Sequence, residues 1–143
     1  KTTMYDGGVR VPFMLRWPAM VKPGVSDAFV CQMDLLASFA GLLGQTYPDK
    51  LDSRNTLKAF LGKSKKGREE LVIEGMFNYA YRKGDWALIP PYRKQTEYQL
   101  YNLKEDIGQK HNLADKYPKK VKELTDEFEA LKLSTGKKLD FNR

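Results

Sequence analysis

The residues whose types and spacing best suit a chemical role stand at the start of the chain. Lys1 precedes the Gly7-Gly8 pair by six residues, and Asp6 stands directly before that pair. Two adjacent glycines predict a tight turn, because glycine accepts positive φ and lets another backbone approach closely. Such a turn would hold a cation beside a loop that folds inward. A lysine ammonium in that position can stabilise negative charge on the oxygens of an anionic substrate.

Two other residues invite a catalytic interpretation, but their surroundings favour structural roles. Cys31 is the only cysteine, so an internal disulfide is excluded, and we interpret it as a small buried hydrophobic residue. His111 is the only histidine and lies in a polar turn, which favours a surface position and excludes a histidine-based metal cluster. Four acidic residues lack the spacing of a metal site and are interpreted as surface groups: Asp49, Asp52, Glu69 and Glu70.

Several aromatic residues allow two interpretations. Near the start of the chain, Tyr5 and Trp17 are expected to serve structure, and Arg10 is expected to pair with a buried carboxylate. In the second half, aromatic faces either stack on sugars at a glycan-binding edge or pack in the core and on a sheet. Core and sheet packing is the interpretation we favour. These residues are Tyr79, Tyr81, Trp86 and Tyr92.

Length and charge bound the class of protein. The chain has 143 residues, of which 41% are hydrophobic, enough for a core but few for a whole hydrolase. The net charge is +7, which favours an anionic partner such as nucleic acid, an anionic glycan or a membrane surface. Most basic residues lie among acids, however, as on an ordinary solvated surface. The basic run at Lys63–Arg68 lacks aromatic neighbours and is interpreted as a flexible linker.

No targeting or membrane signal is visible in the sequence. No apolar run approaches the length that spans a bilayer, and Lys1 leads directly into polar residues. We expect neither a membrane span nor a nucleic-acid partner. Because the chain begins inside a motif and without Met, we expect it to be a piece of a longer protein.

The first half of the chain predicts short elements. Phe13–Trp17 lies between two prolines and predicts a core strand, and Val25–Met33 alternates loosely enough for another. Asp34–Gly44 predicts a helix that its first residue caps and its last glycine ends. Thr56–Gly62 predicts a short amphipathic helix that also ends at a glycine.

The second half predicts a small sheet covered by one helix. The strand-like runs are 71–75, 77–83, 86–90 and 98–103. Runs this close must pair antiparallel, since a parallel crossover needs about a dozen residues, and Gly84-Asp85 predicts a hairpin turn. Tyr117–Leu133 predicts a helix whose apolar face is Val121, Leu124, Phe128 and Leu131. The fold class is therefore α+β, with a four-stranded antiparallel sheet packed by the C-terminal helix.

Five stretches resemble type I sulfatases, the arylsulfatase-like enzymes of the alkaline phosphatase superfamily, and two of them are the helices predicted at Asp34–Gly44 and Thr56–Gly62. The first, K-x-x-x-Y-[DE]-G-G-x-R-x-P followed by an apolar run and W-P, is similar to the segment that closes their active site. Arg82–Ile89 resembles their R-x-G-x-W-K-L-I hairpin. Gln99–Ala114 resembles their E-L-Y-D-L-x-x-D-P-x-E-x-x-N-L-A strand and turn. The departures include Asp6 for glutamate, Ala87 for lysine, Ile107 for proline and Gln109 for glutamate.

The resemblance implies the C-terminal part of a sulfatase. Residues 1–68 would be the end segment of its α/β catalytic domain, and residues 69–143 its C-terminal subdomain. Lys1 would be both the catalytic and the substrate-binding residue, holding the sulfate group. The parent would hydrolyse sulfate esters of a sugar or an aryl alcohol and be periplasmic or secreted.

The resemblance also implies what this chain lacks. The family's formylglycine nucleophile arises in [CS]-x-P-[SC]-R, which is absent here, and its calcium ligands lie earlier than Lys1. No cofactor or metal ligand is therefore expected in this chain, and the isolated chain is expected to be inactive. Its partners would be the N-terminal catalytic part of the same polypeptide and a sulfated small molecule or glycan. The alternative is a basic polyanion- or glycan-binding module without hydrolytic activity.

Overall fold

The structure is a computed structural model that describes residues 3–48, 51–75 and 78–134. The chain forms two compact units. The sheet unit combines the residues up to Val11 with those from Glu70 onward, and the helical unit is Pro12–Glu69. Contacts thus group the first eleven residues with the sheet. The division of a parent protein at residues 68 and 69 stays a prediction.

The sheet has four antiparallel strands in chain order, as the close spacing of the runs predicts. They are β1 Glu70–Glu74, β2 Tyr79–Lys83, β3 Trp86–Ile89 and β4 Gln99–Asn102. Gly84 has φ +55° in the predicted turn between β2 and β3, a conformation that glycine adopts without strain. The helices of the described residues are α1 Asp6–Val9, α2 Asp34–Leu42, α3 Leu57–Phe60 and α4 Pro118–Ser134.

Both faces of the sheet are covered, because side chains alternate along each strand. On one face Leu124 and Phe128 of α4 pack on Tyr81, Leu88 and Leu100, which confirms the predicted apolar face of the helix. The other face carries a second cluster: Met4, Ala80, Ala87, Ile89, Tyr101 and Leu103. The start of the chain therefore completes the core of the sheet unit, which the sequence did not predict.

In the helical unit, α2 ends at Leu42 and is followed by the predicted glycine stop, Gly44 with φ +64°, but the helix begins differently. Asp34 is the first helical residue and not its N-cap. Its buried carboxylate instead accepts from the guanidinium of Arg68, with Nε 2.9 Å from Oδ2, and from the Arg54 backbone N–H. Arg68 also donates its N–H to the Phe29 carbonyl at 2.6 Å. The prediction that Arg68 belongs to a flexible linker is therefore wrong.

The two strands predicted in the first half are also absent. Neither Phe13–Trp17 nor Val25–Met33 forms a strand, and Met14 and Val25 are 92% and 99% exposed. A strand needs a neighbouring backbone to satisfy its N–H and C=O groups. The four strands of the described residues pair with one another in the sheet unit, so these runs stay irregular. No helix of the described part is long and apolar enough to cross a bilayer.

Candidate functional site

Lys1 lies outside the described residues, so the structure describes the loop that follows it. Asp6, Gly7 and Gly8 form the single helical turn α1, in which neither glycine has positive φ. The predicted positive φ is therefore wrong. The predicted close approach of backbone is confirmed at Gly8, where an added Cβ would lie 2.7 Å from the carbonyl oxygen of Thr3. Gly8 is thus the position of this turn that excludes a side chain.

Asp6 is held by both its side chain and its main chain. Its buried carboxylate lies 3.3 Å from Nη1 of Arg82 on β2, and 3.6 Å from Nη1 of Arg10. The expected pairing of Arg10 with a buried carboxylate is thereby confirmed. The Asp6 N–H donates to Oε1 of Gln109 at 2.5 Å. Burial lowers the pKa of the Arg82 guanidinium, and the charge of Asp6 opposes that shift.

The two residues before Asp6 are also anchored on the sheet unit. Met4 packs in the core beside Gly75, where an added Cβ would lie 2.1 Å from its Cε. The Tyr5 hydroxyl donates to Oε1 of Gln99 at 2.9 Å, and the Tyr5 ring meets Tyr101 edge to face. Burial, reinforced by the neighbouring Tyr5, raises the pKa of Tyr101 to about 12. Three consecutive residues are therefore tied to the sheet within five residues of Lys1.

The hydrogen bond between Gln109 and Asp6 is a contact of this loop that the sequence did not predict. In the sequence, Gln109 is noted only as a departure from the glutamate of the sulfatase pattern. The structure gives it φ +51°, buries it, and places its Oε1 on the first N–H of α1. A signal was available, because glutamate and glutamine both offer an acceptor oxygen at this position.

An open groove of about 350 Å³ lies along this loop. It is lined by Thr3, Tyr5, Gly7, Gly8, Ile107, Gly108 and Gln109. An added Cβ at Gly7 would meet nothing within 4 Å, so this glycine faces open space. The loop therefore combines an anchored side, toward the sheet, with an accessible side.

The sequence and the fold of this chain are similar to those of known proteins. A family model described as the C-terminal region of N-sulphoglucosamine sulphohydrolase matches residues 1–134. The chain belongs to this sulfatase family. It is 37% identical to an N-acetylgalactosamine-6-O-sulfatase of Bacteroides thetaiotaomicron over 92% of this chain and 29% of that protein. It is 38% identical to arylsulfatase A of Homo sapiens over 51% of this chain and 15% of that protein.

Solved structures share the fold of this sulfatase chain. One, from work on glycosaminoglycan metabolism by Bacteroides thetaiotaomicron, superposes with a TM-score of 0.84 at 36% identity. It covers 93% of this chain, which spans 31% of that structure. A second, solved with its substrate D-glucosamine-2-N,6-O-disulfate, has a TM-score of 0.69 at 24% identity over 90% of this chain. The chain thus spans 31% and 29% of the length of these two structures, and 29% and 15% of the length of the two curated relatives.

Cys31 and His111 do not match what the resemblance implies for the nucleophile and the metal ligands of the family. Cys31 is half-buried and is followed by Gln32-Met33-Asp34, so it lacks the formylglycine pattern. His111 is exposed, as predicted, and its Nδ1 lies 3.4 Å from the Asp106 carboxylate. Across residues 3–48, 51–75 and 78–134, no three acidic, histidine or cysteine side chains are grouped to hold a metal.

The acidic residues interpreted as surface groups divide into three cases. Asp52 and Glu69 are exposed, as predicted. Glu70 is half-buried and accepts from the Tyr81 hydroxyl at 2.7 Å, so the prediction is wrong there. Asp49 lies outside the described residues.

The aromatic residues of the second half follow the packing interpretation. Tyr81 is fully buried and stacks on Phe128, and Trp86 meets Tyr117 edge to face at 5.6 Å. Tyr79 packs against the same cluster. Tyr92 is half-buried and pairs with Gln95 in an isolated bridge. These contacts explain the aromatic content of the sheet unit without a sugar ligand.

Proposed function

We propose that this chain is the C-terminal portion of a sulfatase that hydrolyses sulfate esters of sugars, and that it completes the wall of the active site. The observation that carries the proposal is the family match over residues 1–134, which includes the loop anchored at Asp6. The nucleophile and the metal would come from the N-terminal catalytic part of the same polypeptide. The isolated chain is then expected to release no sulfate, with or without calcium.

Lys1 is the residue we propose to contact the sulfate. Its ammonium would stabilise charge that develops on the sulfate oxygens as the S–O bond breaks. In the parent protein, Lys1→Ala should lower kcat/KM by roughly two to three powers of ten. Lys1→Arg should restore activity only in part, because a planar guanidinium does not occupy the place of a compact ammonium.

A matched control is Lys22→Ala, since Lys22 is exposed in the helical unit and has no proposed role. This variant should keep the kcat/KM of the unmodified parent. Normal kinetics in the Lys1→Ala variant would remove Lys1 from the active site and contradict its proposed role.

The substrate class we propose is a 6-O-sulfated amino sugar. The support is the 37% identity with a relative named as an N-acetylgalactosamine-6-O-sulfatase. The test is sulfate release by the parent from N-acetylgalactosamine 6-sulfate, N-acetylgalactosamine 4-sulfate and a simple aryl sulfate. The 6-sulfate should be the best substrate, and a preference for either alternative would contradict the proposal.

The N-terminal catalytic part would also cover apolar surface of the helical unit. Phe13, Met14 and Trp17 are 52%, 92% and 37% exposed, although they lie in a run that predicts a core strand. We propose that this run pairs with backbone of the catalytic part. Hydrogen exchange should therefore be much slower for amides 13–17 in the parent than in the isolated chain. Equal rates in the two would contradict this pairing.

The alternative of a polyanion-binding module gains no support from α4. The helix carries four lysines and four acids, and it pairs Lys120 with Glu123 and Lys122 with Asp126 at 2.7 Å. These pairs break up its positive charge. We therefore propose weak, salt-sensitive binding to heparin-like chains and to unsulfated polyanions alike. We place the parent outside the cytoplasm, in the periplasm or secreted, by its similarity to glycosaminoglycan-processing bacterial proteins.

A further inference from the structure

Asp6 receives one buried and one partly buried contact from different parts of the sheet unit. Arg82 reaches its carboxylate from β2 at 3.3 Å, and Gln109 reaches its N–H from the turn after β4 at 2.5 Å. Asp6 and Gln109 are each 8% exposed. These contacts therefore hold both the side chain and the backbone of the residue that begins α1.

The hydrogen bond from Asp6 to Gln109 is accompanied by two unfavourable features of Gln109. The first N–H groups of a helix have no acceptor within the helix, and Gln109 supplies one to Asp6. Gln109 makes this contact with φ +51°, which residues other than glycine rarely adopt, and its buried Nε2 has no hydrogen-bond partner among the residues that the structure describes. Within the described residues, its side-chain hydrogen bond goes to Asp6 alone. Costs of this kind concentrate where a particular geometry serves function.

We infer that Gln109 and Arg82 are positioning residues for Lys1, acting through Asp6. The inference rests on the sulfate-binding role proposed for Lys1, which lies five residues before Asp6. The lysine side chain is a flexible four-carbon stem, so its ammonium is placed accurately only if its backbone is fixed. A misplacement of about 1 Å at a catalytic group reduces the rate roughly 100-fold.

The decisive experiment is a double-mutant comparison in the full-length parent. Gln109→Met keeps the length of the side chain but removes the acceptor, and it should lower kcat/KM about 10- to 100-fold. Gln109→Glu keeps an acceptor oxygen and should retain most of the activity. In a Lys1→Ala background, Gln109→Met should change kcat/KM less than about 2-fold, because its effect acts through Lys1.

Ser53→Ala is the matched control. Ser53 is also buried, and its Oγ accepts a backbone N–H, that of Ala37, at 2.9 Å in the helical unit. Its loss removes this hydrogen bond and the one that Oγ donates to the Met33 carbonyl at 2.7 Å, at a residue without a proposed role in the reaction. Ser53→Ala should leave kcat/KM unchanged in either background. The unfolding temperature of every variant separates loss of activity from loss of fold.

The outcomes separate this inference from the proposed function. Normal activity in Lys1→Ala contradicts the role of Lys1 itself. If Lys1→Ala has low activity, the role of Lys1 stands. If Gln109→Met then lowers kcat/KM in the Lys1→Ala background by the same factor as in the unmodified parent, the inference is overturned. If Gln109→Met does not fold, the same comparison with Arg82→Gln decides, and full additivity with Lys1→Ala overturns the inference there too.

Discussion

The sheet unit and the helical unit bury different kinds of side chain. In the sheet unit, large residues fill the core, and six of them are at most 2% exposed: Tyr81, Leu88, Ile89, Leu100, Leu124 and Phe128. In the helical unit, the buried residues are mostly small or polar: Asp34, Ala37, Ser38, Ser53, Ala59, Leu61 and Arg68. Its large apolar residues include Met14, Val25, Phe39 and Leu43, each more than half exposed.

The difference teaches that apolar sequence predicts burial only where a covering surface is present. The strands of the sheet unit alternate, and α4 on one side and the Met4 segment on the other cover their two faces. The helical unit has comparable apolar runs, but its organising contact is the ion pair between Asp34 and Arg68. The stability of one unit should therefore depend on packing, and that of the other on a buried charge pair.

The largest expected effect is the loss of a core aromatic residue in the sheet unit. Phe128→Ala should lower the free energy of unfolding by about 3–5 kcal/mol, because it removes a ring that is 2% exposed. Phe39→Ala makes the same change at a position that is 53% exposed in α2, and it should cost less than about 0.5 kcal/mol.

Denaturant titration of the 143-residue chain measures both variants. The two tryptophans distinguish the units, since Trp17 lies in the helical unit and Trp86 in the sheet unit. Single-tryptophan variants then follow each unit separately. Equal losses in Phe128→Ala and Phe39→Ala would break the comparison between the units.

The second effect tests the buried pair of the helical unit. Arg68→Met should lower the free energy of unfolding by about 3 kcal/mol, because it leaves the fully buried Asp34 carboxylate without the guanidinium that pairs with it. Breaking a buried ion pair typically lowers the free energy of unfolding by about 3–5 kcal/mol. We expect the low end of this range, since the Arg54 N–H still donates to Asp34. Replacing both partners, Asp34→Leu with Arg68→Met, should recover most of the loss. A double variant as unstable as the single one would show that the pair also has another structural role.

Replacing a glycine that has positive φ should lower the free energy of unfolding by less, and by the same amount in both units, because the strain is local to the backbone. Gly84 in the sheet unit and Gly44 in the helical unit have φ +55° and +64°, with open space where a Cβ would stand. Replacing either with Ala should cost about 1–2 kcal/mol through backbone strain alone. Gly7→Ala is the control, because Gly7 has helical φ and the same open space, and it should be neutral or slightly stabilising.

The smallest effect is a pH dependence specific to the sheet unit. The pKa of Tyr101 is raised to about 12, so the folded state holds this proton more tightly than the unfolded chain does. The contribution of the Tyr101 proton to the stability of the fold is complete below pH about 10 and is lost as the pH rises toward 12. Tyr101→Phe should therefore flatten the alkaline limb of the stability curve followed by Trp86. An unchanged alkaline limb would contradict the assignment to Tyr101.

Much of the sheet unit could be predicted from the sequence, because its elements are defined by local pattern. The close spacing of the runs determined antiparallel pairing, Gly84 determined the hairpin, and the 3.6-residue period of Val121, Leu124, Phe128 and Leu131 determined the face of α4. The glycine ends of α2 and α3 followed from the same local reasoning. The family resemblance likewise rested on short motifs in a fixed order.

Only the tertiary structure decided which distant residues meet. Asp34 pairs with Arg68 across 34 positions, and Asp6 meets Gln109 across 103. Sequence periodicity carries no information about contacts at such separations, so the sequence predicts a linker at Arg68 and no partner for Gln109. The same limit explains Phe13–Trp17, since a strand exists only if another backbone accepts its hydrogen bonds. Local order came from the sequence, and the partners of Asp6 and Asp34 came from the fold.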